Sequence, residues 1–417
     1  MKFSHCEKTV RILDILYIAI VAAILLQPAM LMKLKPGVHV DNRPAAKFPI
    51  LPPNNISDFP RQFEMWFNDR AAGRKNYGRI GNFLLFRLFR ESPSTQIILG
   101  RDGFLFFASH HGGKENRNSL VWNLFNFKSH QVEKAANDFI ALFPELERSP
   151  AKVIFINVPT KHLLYFDKMP AYITDSVSEP RRYWATEVTK EIIRHRPDAA
   201  RYFADLRSEA ERAASTIQLI PIRNFHWIPG PYTHLASNVI ARHLRLTDKG
   251  YIPKFHDYRL IKDNRSDLEH FIYRGLRSPA LATSDEDFSR IGITKIQGLE
   301  KAMQNVIPGA KALNTVAECA FNPSAKGGKM LLVGDSFTRP LCQDMARYCK
   351  EVVSIEYTAL LRYIPKSHAI EMMQQLVARW HPEYIVVVSH YQATAWTRDV
   401  IDMQSLAGKI PVPRSIK

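Results

Sequence analysis

Five short, predominantly apolar runs constrain this chain most: residues 152–158, 216–222, 330–333, 351–355 and 384–389. A strand with apolar residues at consecutive positions must be covered on both faces. Stretches with helical spacing separate the runs, at 132–143, 178–195, 198–214, 232–244, 337–349 and 367–380. Strands alternating with helices in this way predict an α/β fold with a doubly wound, mostly parallel sheet.

The turn after the third run carries the chemistry. Gly334-Asp335-Ser336-Phe337 follows a buried strand and opens a predicted helix, so Ser336 is expected at the carboxyl edge of the sheet, where ligands bind in such folds. Its own N–H, at the start of that helix, is suited to stabilise an oxyanion. A serine nucleophile needs a base, and the base needs an orienting group. Asn224-Phe225-His226-Trp227 offers His226 as base with Asn224 beside it. His390, directly after the run 384–389, is the second candidate base, and His162 the third. The plain alternative for Ser336 is a helix-capping serine. No phosphate-binding loop is present: Gly327-Gly328-Lys329 precedes a strand instead of following one. The histidines lack metal-ligand spacing and no carboxylate pair suggests glycoside hydrolysis, so no cofactor or metal is expected.

Charge bears on partners. With 57 basic and 40 acidic residues the chain carries +17, which favours anionic partners such as acidic glycans or lipid head groups. No zinc-ligand spacing, RNA-binding signature or compact basic tract supports nucleic acid. Residues 12–32 are long and apolar enough to cross a bilayer, with Asp14 the one acid among them. That layout predicts a cytoplasmic tail (1–11), a transmembrane signal anchor (12–32), a tether (33–60), a catalytic domain (61–400) outside the cytoplasm and a loose basic tail (401–417). Phe59, Phe63, Trp66 and Phe67 share one face of a helix read as core-packed with a solvated basic side. Gly100-Arg101-Asp102-Gly103 joins two short strands as a hairpin. Residues 254–314 lack strong periodicity and read as an insertion or lid. Cys342 and Cys349 fall on one predicted helix, too far apart along it to pair, whereas Cys319 is free to pair with either.

These residues resemble the alginate O-acetyltransferase type of SGNH-hydrolase-like proteins. The resemblance spans most of residues 41–390. Asp41-Asn42-Arg43 with Phe48-Pro49 is similar to that family's opening, and Phe67-Asn68-Asp69-Arg70 with Arg74 to its first helix. Gly100-Arg101-Asp102-Gly103-Phe104-Leu105-Phe106 matches its hairpin, the most specific likeness, and Val158-Pro159-Thr160-Lys161 with Tyr165 and Met169-Pro170 resembles its Pro-Asp-Lys segment. Its Gly-Asp-Ser-Phe is intact at the third run, and its Asp-x-His-Trp reads here Asn224-Phe225-His226-Trp227.

The resemblance implies an SGNH-like domain, anchored in a bacterial inner membrane and facing the periplasm, that acetylates an exported polysaccharide. It further implies a membrane-bound O-acyltransferase partner that supplies acetyl groups. Ser336 would be nucleophile, His226 base, and Asn224 would hold the orienting position. Asparagine there departs from the family's acid, so Asp205 and Asp335 are considered as substitutes, and a slow enzyme, an esterase or a non-catalytic glycan-binding subunit as alternatives. The family's acid after the last strand is replaced by Ser389-His390. On this reading Asn224→Asp should raise turnover, because a carboxylate stabilises the imidazolium that asparagine cannot.

Overall fold

The computed structural model describes residues 58–70, 74–109, 118–179, 182–297 and 316–390, together with short pieces between 15 and 49. The chain divides into two compact units, Met1–Phe89 and Arg90–Lys417. The predicted span 12–32 lies largely outside the described residues, although 15–19 and 21–22 are helical. Among the described residues no helix is long and apolar enough to cross a membrane. Most of the tether, all of the tail 401–417 and Cys6 also lie outside them.

In the first unit, helix α1 (Phe59–Arg70) is followed by α2 (Arg74–Leu84) and a wide turn at Leu85–Phe89. The expectation of a core-packed α1 fails: it has no buried residue. Its aromatic rings instead pair with one another, Phe59 on Phe63 at 5.9 Å and Phe63 on Phe67 at 6.4 Å between centroids. An apolar stripe at helical spacing says only that one face is apolar, not what covers it.

The second unit begins with the hairpin β1 (Ile97–Leu99) and β2 (Leu105–Phe107), closed by Gly103 at φ 78°. Next come α3 (Ser129–Ile140), β3 (Lys152–Asn157), the single turn α4 (Lys161–Leu164) and α5 (Trp184–His195). The edge strand β4 (Phe203–Ala204), α6 (Arg207–Ala214) and α7 (Pro231–His243) follow. A second hairpin, β5 (Arg259–Ile261) with β6 (Ala280–Ala282), leads to β7 (Thr294–Gln297) and β8 (Ala317–Phe321). The chain closes through β9 (Gly327–Gly334), α8 (Cys342–Met345), β10 (Cys349–Glu356), α9 (Lys366–Trp380) and β11 (Tyr384–Ser389).

Seven strands form one sheet in the order β4-β3-β11-β9-β10-β8-β7. β4 through β10 run parallel, while β8 and β7 add antiparallel at one edge. The α/β fold with a mostly parallel sheet is therefore as the alternating runs predict. One face packs Phe155, Leu331, Val333, Val353 and Val387 against Phe139 of α3 and Met373, Leu376 and Trp380 of α9. The intervening residues Ile154, Leu332, Val386 and Val388 are also fully buried, which is why these runs do not alternate.

Three local expectations need correction. Residues 216–222 form no strand: Ile217, Leu219 and Ile220 are buried, but their backbone is met by side chains and a neighbouring strand. Leu219 N–H donates to Tyr165 Oη, Ile222 O accepts from Leu105 N, and Lys161 Nζ donates to the carbonyls of Pro221, Ile222 and Asn224 at 2.9, 2.6 and 3.0 Å. A buried loop satisfied in this way has the apolar signature of a strand. The predicted helix 337–349 shortens to a 3-10 turn at Arg339–Leu341 and the single turn α8, because Cys349 already pairs with Gly327 in the sheet. Cys319, Cys342 and Cys349 are all buried and free, so the considered pairings do not form.

Candidate active site

The site gathers at the carboxyl ends of β9, β10 and β11, where Gly334 is registered against Glu356 on one side and Val388 on the other. Gly334 cannot carry a side chain: a Cβ would lie 1.8 Å from Val388 O. The strands therefore approach closely enough for the turn to fold tightly over the sheet edge. Asp335 N–H donates to Val388 O, and the Asp335 carboxylate turns back to accept Phe337 N–H at 3.0 Å. Ser336 sits between them, and its N–H makes no hydrogen bond among the described residues.

His226 Nε2 lies 2.6 Å from Ser336 Oγ. On its far side His226 Nδ1 lies 2.7 Å from Asp267 Oδ2. A carboxylate can only accept, so the imidazole carries its proton on Nδ1 and presents Nε2 as the acceptor for the serine hydroxyl. Asp267 also accepts the backbone N–H of Phe225 and of His226, each at 2.9 Å. Burial acts to raise its pKa, but the His226 ring and these two N–H groups hold it below the usual carboxylate range.

Asp267 was not foreseen. It lies in the segment read as an insertion or lid, 41 residues beyond His226. That segment is stitched to the histidine loop: Arg223 N–H donates to Ser278 Oγ, Arg223 Nη1 to Arg277 O, and Ser266 Oγ to Arg223 O. Beyond His226, Gly230 lets β6 pass closely, since a Cβ there would meet Leu281 O at 2.5 Å. No periodicity or motif marks Asp267. The only available signal was indirect: asparagine at 224 leaves the imidazole needing an acid from elsewhere.

The other candidates fall into place by contact. Asn224 does not orient His226; it is buried, its Oδ1 meets no donor among the described residues, and its carbonyl accepts from Lys161. Asp205 is not the substitute acid, because it accepts from Arg207 N–H and Ser208 Oγ at the start of α6. Asp335 is not either, since it is held by His390, whose Nδ1 lies 2.6 Å from Oδ2 and whose N–H donates to the same oxygen. His390 is thus committed to Asp335 and not to the serine. His162 is buried, its Nε2 2.8 Å from Phe107 O, and burial drives its pKa down to about 3, so it stays neutral.

Phe337 stands between the two histidines, with its ring centroid 5.1 Å from His226 and 5.0 Å from His390. Trp227 donates its indole N–H to Phe337 O at 2.8 Å and so ties the histidine loop to the serine turn. Lys161 buttresses that loop from behind. Burial pushes its pKa well below the usual lysine range, with the Asp267 charge opposing, yet three carbonyl acceptors call for all three protons of an ammonium. In front, a cleft of about 470 Å³ is lined by Asn224, Asp267, Lys295, Glu318, Arg339 and Glu356 together with His226 and Ser336.

No protein-family model and no curated protein matches this chain. Solved structures do. A Bacillus cereus protein, PatB1, carrying a sulfonyl adduct, is 14% identical over 71% of this chain and 97% of its own, with a TM-score of 0.42. A DHHW family protein from Eubacterium siraeum is 11% identical over 72% and 93%, with a TM-score of 0.45. The O-acetyltransferase domain of Pseudomonas putida AlgJ is 15% identical over 73% and 98%, with a TM-score of 0.36.

Proposed function

We propose that the second unit is a serine O-acetyltransferase that modifies an exported polysaccharide. One observation carries the reading: Ser336 Oγ, His226 Nε2, His226 Nδ1 and Asp267 Oδ2 stand in an unbroken hydrogen-bonded chain at the mouth of a cleft. The hairpin motif at Gly100–Phe106 and the intact Gly-Asp-Ser-Phe support the class of reaction.

The chemistry runs in two halves. Ser336 Oγ passes its proton to His226 Nε2 and attacks the carbonyl of an acetyl ester, while the Ser336 N–H faces the developing oxyanion. His226 returns the proton to the departing oxygen, leaving an acetyl-serine. A sugar hydroxyl then gives its proton to His226 and attacks that ester; the new C–O bond forms, the bond to Ser336 Oγ breaks, and Oγ recovers the proton. Asp267 stabilises the imidazolium in both halves. With a carboxylate supplied by Asp267, asparagine at 224 no longer argues for a non-catalytic subunit.

In this reading the chain is anchored by residues 12–32 in a bacterial inner membrane, works in the periplasm and receives acetyl groups through a membrane-bound O-acyltransferase. Incubation with an aryl acetate should leave a 42-Da adduct (about one acetyl group) on Ser336 by mass spectrometry, and added glycan should acquire acetyl esters. An unlabelled Ser336 would refute the proposal, and adduct that only water ever consumes would make the protein an esterase. A reporter active only outside the cytoplasm, fused after Pro60, should give signal; signal from a cytoplasmic reporter instead would contradict the compartment.

A further inference from the structure

Glu356 ends β10 directly beside the nucleophile turn, registered with Gly334. Its carboxylate lines the cleft that holds Ser336 and His226, and no described residue donates a hydrogen bond to it. The neighbouring Glu318 contrasts with it: buried, it is paired with Arg339 at 2.9 Å and Lys295 at 3.4 Å. Glu356 is thus an acceptor at the cleft, beside the nucleophile turn, that no described residue satisfies. A half-buried carboxylate in this position is left to ligand or solvent for its donors.

We infer that Glu356 binds hydroxyl groups of the acceptor in the second half-reaction and disfavours acceptors that carry a carboxylate there, an inference that rests on the acetyl-transfer reading above. A polyhydroxylated ligand is rich in the donors a carboxylate accepts, and a hydroxyl donating to a carboxylate makes a charge-assisted bond. The cleft walls carry Arg265, Lys295 and Arg339 against Asp267, Glu318 and Glu356, so the chain's excess of positive charge is not concentrated there to recruit a polyanion. A uronate carboxylate beside Glu356 would meet like charge, which is unfavourable in a partly desolvated cleft. Burial raises the Glu356 pKa, while Arg339, His226 and Arg362 draw it down; the carboxylate therefore sits within the electrostatic reach of the base.

The test uses the full chain, an aryl acetate as donor, and two acceptors of equal length: a neutral gluco-oligosaccharide and a uronate oligosaccharide. The measured quantity is the ratio of acetyl transferred to acetyl hydrolysed, alongside the rate of acetyl-Ser336 formation. The parent should transfer preferentially to the neutral acceptor. Glu356→Ala should lower that ratio about tenfold or more, as expected for a lost bond to a charged group. Glu356→Gln, which keeps the shape, should lower it less and reduce the preference against uronate. An acetyl-enzyme that forms normally, with the same transfer ratio in the parent and both variants, would overturn the inference alone. A parent that prefers the uronate would also overturn it. A parent that forms no acetyl-enzyme would remove the acceptor step, and both readings would fall together.

Discussion

The molecule builds a histidine–carboxylate pair twice, within one aromatic box, and the two differ in one physical respect. In each, an aspartate accepts the ring Nδ1–H of a histidine, that histidine's own backbone N–H and one further backbone N–H. The ring-to-carboxylate distances are nearly equal, 2.7 Å for His226–Asp267 and 2.6 Å for His390–Asp335. The first pair is 31% and 28% exposed and opens onto a cleft; the second is 7% and 9% exposed and closed in the core. On the proposed reading, identical local chemistry serves catalysis where a hydroxyl and a cleft reach it, and architecture where they do not. His390–Asp335 ties the end of β11 to the serine turn, while His226–Asp267 ties an irregular segment to the base.

That contrast is broken most easily by removing the chemistry from one side. Ser336→Ala should reduce acetyl transfer by about 10⁶-fold, the scale of losing a nucleophile in a serine triad, with the thermal unfolding curve unmoved. Asp267→Asn should cost about 10⁴-fold in kcat, because the ring loses the carboxylate that stabilises its imidazolium. A loss of only a fewfold would mean that Asp267 positions the loop and nothing more.

On the buried side the expected injury is to stability. Asp335→Asn breaks a buried pair and should cost about 3–5 kcal/mol, read from the urea midpoint, whereas Asp267→Asn should cost well under half of that. Equal losses for the two variants would erase the distinction between the pairs. Asn224→Asp now carries the opposite expectation from the one drawn from sequence. It should bring no gain in turnover and a loss of about 1–3 kcal/mol in stability, because it buries a second carboxylate without a donor. A gain would mean that residue 224, and not Asp267, serves His226.

The smallest effect is on acid stability. Both Asp267 and Asp335 are held below the ordinary carboxylate range in the folded protein, so the unfolded chain binds their protons more readily. Their contribution is fully present above about pH 4 and is lost as the pH falls from there through the lower folded values. Urea midpoints measured between about pH 5 and 2 should decline, and the slope should be shallower in Asp335→Asn.

Much of this was legible in the chain. Residues 384–389 are β11 to the residue, and the helical spacing at 367–380 and 232–244 finds α9 and α7 within one position. Ser336 and His226 were named together from their place after apolar runs, and they meet at 2.6 Å. Periodicity reports burial, and burial coincides with strand or helix wherever backbone partners come from the same element. At 216–222 they come from Lys161, Tyr165 and Leu105 instead, and the same apolar pattern is a loop.

The sequence by itself determined the layers of the fold, the tight turn at Gly334 and the residue types at its mouth, because these depend on local pattern and on the volume of single side chains. Only the tertiary structure decided which carboxylate each histidine receives. Asp335 is next to Ser336 in the chain yet serves His390, 55 positions away, and Asp267 reaches His226 across 41 positions that include α7 and β5. Hydrogen bonds form between groups that are close in space, and where a group lies on backbone with no period of its own, as Asp267 does, the sequence holds no record of that closeness.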